Sequence, residues 1–126
     1  MVEQHHYFLE HPFDMANIKS FIKVFEVKGT VVSVVAFHYY VENEIYSLSI
    51  NPLIVHPEKM NQGFGYQTLK LIVENPYDIV EGKVDIVKAL VKIDNTVSIK
   101  MFEKIGFKKE KTDEGFIDYT YQIKQS

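Results

Sequence analysis

The chain has 126 residues, 46% of them hydrophobic and 25% charged, which is enough for one substantial core and predicts a single domain spanning 1–126. It contains no Cys, so disulfides, thiolate metal sites and a cysteine nucleophile are excluded, and no metal site is expected. A net charge of −3 argues against general nucleic-acid binding; no apolar run is long enough to span a bilayer, and MVEQHHYFLEHPFD is not a signal peptide, so a cytoplasmic location without membrane association is the default expectation.

In chain order, His5 to Glu10 predicts a first strand closed by Pro12. Asp14 reads as the N-cap of a helix from Met15 to about Lys23, with Ile18, Phe21 and Ile22 on one side. Val24 to Val27, a Lys28-Gly29 turn and Thr30 to Val41 predict a β-hairpin. Both alternating sets of its second strand are apolar, so that strand should be covered on both faces. His38 and Tyr40 share a face near its end, and Glu42-Asn43-Glu44 turns into the next strand.

That next strand breaks its own pattern. Tyr46, Leu48 and Ile50 alternate with Ser47, Ser49 and Asn51, but after Pro52 the residues Leu53, Ile54 and Val55 are all apolar. If Leu53 and Val55 belong to the core, the period has slipped by one residue, which takes a β-bulge. Pro52 stands at the slip, where a ladder donor is missing. The strand should therefore bend from one neighbour near Asn51 and free backbone groups of Leu53, Ile54 and Val55 for a ligand. An edge strand guarded by its proline is the alternative.

His56-Pro57 ends the strand, Glu58 to Gln62 make a turn, and Gly63 and Gly65 open a helix whose stripe is Leu69, Ile72 and Val73. Gly65 falls one turn before Leu69 on the inward side, where a glycine costs helix stability unless close approach requires it. A strand, a glycine turn and a helix together present backbone N–H groups to an anion. Further on, Asn75-Pro76 ends the helix and Tyr77 to Lys83 connects to a strand over Ile86 to Ile93, parallel to the bulged one. Asn95 caps a helix with the stripe Val97, Met101 and Ile105 and Phe102 beside it, closed by Gly106 and an apolar Phe107 contact. Strands over Phe107 to Lys111 and Phe116 to Ile123 complete the chain, with Lys108 to Lys111 a solvated patch.

VHPEKMNQGFG resembles the acetyl-CoA signature of the GNAT superfamily of N-acetyltransferases, V-x-P followed by Q/R-x-x-G-x-G/A. Met60 replaces the usual Gln or Arg; Gly63 and Gly65 match. DNTVSIKMFEKIGF resembles a second GNAT pattern, N-x-x-[AS]-x-x-[LM]-Y-E-K-x-G-F, with Phe102 in place of Tyr. The resemblance implies an α/β (α+β) fold with a mixed, mostly antiparallel sheet, a bulged strand and helices on both faces. It implies acetyl-CoA as cosubstrate, held by Leu53, Ile54 and Val55, by the loop Met60, Asn61, Gln62, Gly63, Phe64 and Gly65, and by Asn95 and Phe102. The partner would be a primary amine of a small molecule or protein; a homodimer stays open.

Amine acetylation needs a base, and Ser47, Ser49 and Asn51 supply none at neutral pH. Glu44 and His38 are the nearby candidates, each acting through water, with a turn carboxylate and a packed strand-end histidine as the ordinary alternatives. Phe102 cannot protonate a leaving thiolate. An acyl-CoA-binding sensor without efficient turnover is therefore the alternative to an enzyme. A purely structural domain is disfavoured, because Pro52, Gly63 and Gly65 all cost regular structure.

Overall fold

The computed structural model describes residues 3–7, 18–60 and 62–124. Seven strands form one sheet in the order β1-β2-β3-β4-β5-β7-β6. They are β1 (Glu3–Tyr7), β2 (Ile18–Val27), β3 (Thr30–Glu42), β4 (Ile45–Val55), β5 (Ile86–Lys92), β6 (Lys108–Asp113) and β7 (Phe116–Gln122). All neighbours are antiparallel except β4 and β5. A single turn of 3₁₀ helix (Pro57–Lys59) and α1 (Phe64–Glu74) follow β4, α2 (Pro76–Ile79) occupies part of the expected Tyr77 to Lys83 loop, and α3 (Thr96–Ile105) follows β5.

The helix expected from Met15 to Lys23 is replaced by strand over Ile18 to Lys23; Asp14 and Met15 lie outside the described residues. Ile18, Phe21 and Ile22 do fit a helical stripe, yet the same stretch alternates. Phe21, Lys23 and Phe25 are buried, while Ile18, Ser20, Ile22 and Val24 turn to the other face. Ten antiparallel partners on β3 decide the competition, because tertiary pairing outweighs a local preference. The first strand lies earlier than expected, at Glu3–Tyr7, and residues 8–10 of the expected strand are outside the described residues.

Two-residue turns close the β2–β3, β3–β4 and β6–β7 hairpins. Lys28 and Gly29, Asn43 and Glu44, and Glu114 and Gly115 all have positive φ, the pattern of the type I′ turns that match strand twist.

The core lies on one face of the sheet. Phe21 stacks on Phe37 at 5.3 Å, and Leu48, Ile50, Val87, Ala89 and Tyr119 continue the layer. Thr68 of α1 meets Ser33 of β3 at 2.7 Å. The buried Lys23 reaches the Asp78 carbonyl of α2 at 3.2 Å, and Phe102 of α3 stacks on Tyr119. Cross-strand register puts all of these on the same side. Helices are expected on both faces; among the described residues α1, α2 and α3 share one. No described helix is long and apolar enough to cross a membrane.

Within α3, Val97 is 75% exposed and leaves the expected stripe; Phe102 is the buried residue. The helix ends as its sequence predicts. Gly106 has φ 120°, the Phe107 N–H donates to the Phe102 carbonyl at 3.0 Å, and the two rings meet edge to face at 4.9 Å.

Candidate functional site: a split between β4 and β5

The slip in the β4 pattern is a bulge. Phe37 pairs with Ile50 and Val35 with Leu53, so Ala36 alone faces Asn51 and Pro52, which are joined by a cis peptide bond. The extra residue returns Leu53 and Val55 to the face of Leu48 and Ile50. On its other side β4 pairs with β5 only from Ser47–Ile86 to Ile50–Ala89. Beyond that level the two strands part.

The orientation of the freed groups follows from one hydrogen bond. The His56 N–H donates to the Val32 carbonyl at 2.8 Å. Alternation along an antiparallel pair then makes Ile54–Val34 the next hydrogen-bonded pair and turns the N–H and C=O of Leu53 and Val55 away from β3, toward the split. Ile54 is different: its backbone is committed to β3 and its side chain, 54% exposed, lies on the helix-free face. Of the three strand residues expected at the ligand, only Leu53 and Val55 present backbone to the split.

The chain then passes from β4 into α1 within a few residues. His56 Nδ1 accepts from the Glu58 N–H at 3.1 Å and caps the 3₁₀ turn. Gly63, at φ 82°, is the N-cap of α1, and the first closed turn runs from the Gln67 N–H to the Gly63 carbonyl at 3.0 Å. The N–H groups of Phe64, Gly65 and Tyr66 precede that bond and have no acceptor within the helix. Charge around them favours an anion. The first turn of α1 holds no acidic residue, and Lys104 Nζ sits 5.0 Å over the Tyr66 ring. Met60 is 58% exposed and Gln62 is exposed, its Nε2 donating to the Glu58 carbonyl at 3.3 Å; Asn61 lies outside the described residues.

Gly65 is where α1 approaches both β4 and α3. A Cβ there would lie 3.3 Å from Val55 Cγ2 and 3.4 Å from Met101 Sδ. These contacts give a structural reason for the glycine, and Met101 is a neighbour that no local pattern indicates.

The remaining candidates divide. Asn95 caps α3, its Oδ1 accepting from the Ser98 N–H at 3.1 Å, and is exposed. Phe102 is 5% exposed, stacked at 5.7 Å on Tyr119 and edge-on to Phe107, so its ring is core. Under it Tyr119 donates to Glu103 Oε2 at 2.7 Å; burial and the Glu103 carboxylate push its phenol up to about 12. Glu44 is in the exposed turn before β4. Six steps along an extended strand, about 20 Å, separate it from Ile50, so the structure does not bring it to the split. His38 is on the helix-free face, paired with Ser49 one residue short of the split. Its Nδ1 is 2.8 Å from Ser20 Oγ. A helical reading of this stretch hides Ser20; the alternation of Ile18, Ser20, Ile22 and Val24 with Phe21, Lys23 and Phe25 is the signal that reveals it.

No curated protein matches the chain in sequence. Solved structures do match the fold. The ribosomal-protein-S18-alanine N-acetyltransferase of Escherichia coli superposes with a TM-score of 0.70 at 14% identity, over 100% of this chain and 96% of that one. The spermidine N-acetyltransferase of Vibrio cholerae, in complex with CoA and spermine, gives 0.67 at 14% identity, over 85% and 66%. The Campylobacter jejuni N-acetyltransferase PseH, in complex with acetyl coenzyme A, gives 0.64 at 17%, over 85% and 69%. At these identities the likeness establishes the fold. A family model, that of the FR47-like proteins, matches residues 39–116, from the end of β3 through the split, α1 and α3 to the start of β7, and the chain is therefore a member of the FR47-like family within the GNAT superfamily.

Proposed function

We propose that this chain is an N-acetyltransferase that moves the acetyl group of acetyl-CoA directly to a primary amine of a small molecule or protein. It would work as one domain, in the cytoplasm. The observation that carries the reading is the split itself: Leu53 and Val55 turn their N–H and C=O groups outward on the strand that precedes α1, and the first N–H groups of α1 have no acceptor within the helix. An extended amide-bearing chain suits the first and a pyrophosphate the second. Gln62, Gly63, Phe64 and Gly65 would hold the phosphates, with Met60 and Asn61 beside them, and Asn95 would face the pantetheine arm. Backbone donors in the split would polarise the thioester carbonyl.

His38 is the preferred base, being the imidazole on the helix-free face, paired with Ser49 one residue before β4 and β5 part. The ammonium gives one proton to the base and the neutral amine attacks the carbonyl carbon; the C–N bond forms, the C–S bond breaks with its electron pair leaving on sulfur, and the new amide nitrogen releases its second proton to solvent. With a phenyl ring at Phe102, the thiolate takes its proton from solvent.

Two measurements test the reading. Saturating CoA should raise Tm by mass action, and acetyl-CoA with spermidine, lysine and an alanine-led peptide should release free thiol with at least one amine. No Tm shift at millimolar CoA overturns the site. Binding without thiol release from any amine would select the acyl-CoA-binding sensor instead.

A further inference from the structure

On the helix-free face, one polar residue from each of five adjacent strands falls at a single level of the sheet. Ser20 pairs with His38, His38 with Ser49, Ser49 with Lys88, and Lys88 with Thr120. The rows beside it hold Ile22, Ala36, Leu90 and Asp118 on one side and Ile18, Tyr40, Ser47, Ile86 and Gln122 on the other. The polar row lies one residue before Ile50 and Ala89, the last pair before β4 and β5 part. Within it Ser20 and His38 are both half-buried and 2.8 Å apart, Oγ to Nδ1.

A neutral imidazole carries one donor and one acceptor nitrogen, and the partner of Nδ1 selects which is which. If Ser20 donated, Nε2 would hold the ring proton and could accept nothing. We infer that Ser20 is a positioning residue for His38: its Oγ accepts from Nδ1–H and so leaves the Nε2 lone pair free toward Ser49 and the split. This rests on the reading of the split as an acetyl-transfer site. The proton removed from the acceptor amine passes to Nε2, directly or through one water, and then returns to solvent. No other co-reactant is needed. Among residues whose side chains are described, the charged or titratable groups on this face near His38 are Tyr40 and Glu42 on β3 and Lys88 on β5. The strands on either side of it, β2 and β4, bring Ser20, Ser47 and Ser49 beside apolar residues.

The test joins a spectroscopic measurement to a kinetic one. Imidazole ¹⁵N shifts of the full chain at alkaline pH, with His38 assigned by His38→Asn, should show the Nδ1–H tautomer; Ser20→Ala should move the ring toward Nε2–H. With acetyl-CoA and whichever of spermidine, lysine or the alanine-led peptide turns over fastest, Ser20→Ala should lower kcat about tenfold or more. The KM for acetyl-CoA should stay within about twofold, as expected for loss of an interaction that matters only in the transition state. Ser20→Thr should restore both readouts, and Ser20→Ala should cost nothing further in a His38→Asn background. An Nε2–H tautomer in the wild type, or an unchanged kcat in Ser20→Ala, overturns the inference alone. A wild type that acetylates none of these amines overturns it together with the reading of the split.

Discussion

Val55 and Gly65 meet at the mouth of the split, with 3.3 Å between Val55 Cγ2 and the position a Cβ on Gly65 would take. The strand that lines the split and the helix that caps it are thereby held as one unit, with Met101 Sδ of α3 closing the contact from the other side.

Gly65→Val is expected to weaken CoA binding by at least about tenfold and to lower Tm, because its branches must displace Val55 and Met101. Calorimetric titration with CoA and thermal unfolding give the two numbers. Met101→Ala added to Gly65→Val should recover Tm by opening space at α3, but not affinity, since the added bulk still stands at the α1 N-terminus. Recovery of both would show that Gly65 serves packing alone.

Thr68 donates to the Phe64 carbonyl at 2.7 Å, so the Ser33 hydroxyl must donate to Thr68. Both residues are 0% exposed. Thr68→Val leaves the Ser33 hydroxyl buried without its acceptor and is expected to cost about 1–3 kcal/mol in urea unfolding, whereas adding Ser33→Ala should return part of the loss. A double variant less stable than Thr68→Val would refute this account.

Removing the Phe102 ring is expected to cost about 3–5 kcal/mol, as for an aromatic side chain in a packed core. Phe102→Tyr should be far milder in urea unfolding. If Phe102→Ala lost CoA affinity without losing stability, the ring would belong to the ligand and not to the Tyr119 and Phe107 stack.

Three buried groups set an alkaline stability profile with two opposed limbs. Burial lowers Lys23 from its ordinary 10.5, so below that pH the unfolded chain binds the proton more tightly and stability rises with pH. Tyr119, raised from 10.0 to about 12, and Tyr39, raised by burial and by Tyr46 and Asp85, act oppositely. Above pH 10 the folded chain retains protons that the unfolded chain has lost, and stability falls by up to about 1.4 kcal/mol per pH unit for each displaced proton. Urea unfolding from pH 8 to 11 should show a rise and then a fall. Lys23→Met should flatten the first limb and Tyr119→Phe part of the second; a Tyr119→Phe profile identical to wild type above pH 10 would contradict the assignment.

The bulge, the glycine-led helix and the cap and ending of α3 were legible because each leaves a mark within a few residues: the apolar slip at Pro52, the Gly63 and Gly65 pair, and Asn95 with Gly106 and Phe107. What could not be read depended on distant partners. Ile18, Phe21 and Ile22 satisfy a helical stripe as well as a strand, and only pairing with β3 decides. Likewise Met101 beside Gly65, Glu103 under Tyr119 and Ser20 beside His38 are contacts between separate elements. Glu44 differs in that chain distance along an extended strand already places it away from Ile50.

The sheet is continuous, but its halves are unequally joined. Strands β1 to β4 form one antiparallel ribbon and β5 to β7 another, and the ladder between them consists of four register pairs, Ser47–Ile86 to Ile50–Ala89. Asp85 clasps one end of this seam, its N–H donating to the Tyr46 carbonyl and its carboxylate accepting from the Tyr46 N–H, both at 2.8 Å; the other end opens into the split. Mechanically the molecule is a clothes-peg, with the Tyr46–Asp85 clasp as its spring and Val55 and Leu90 on opposite jaws. A molecule seated between the jaws would tie two ribbons that the backbone ties only at the far end. Amides along the seam should therefore be those whose exchange with solvent slows most when CoA is added.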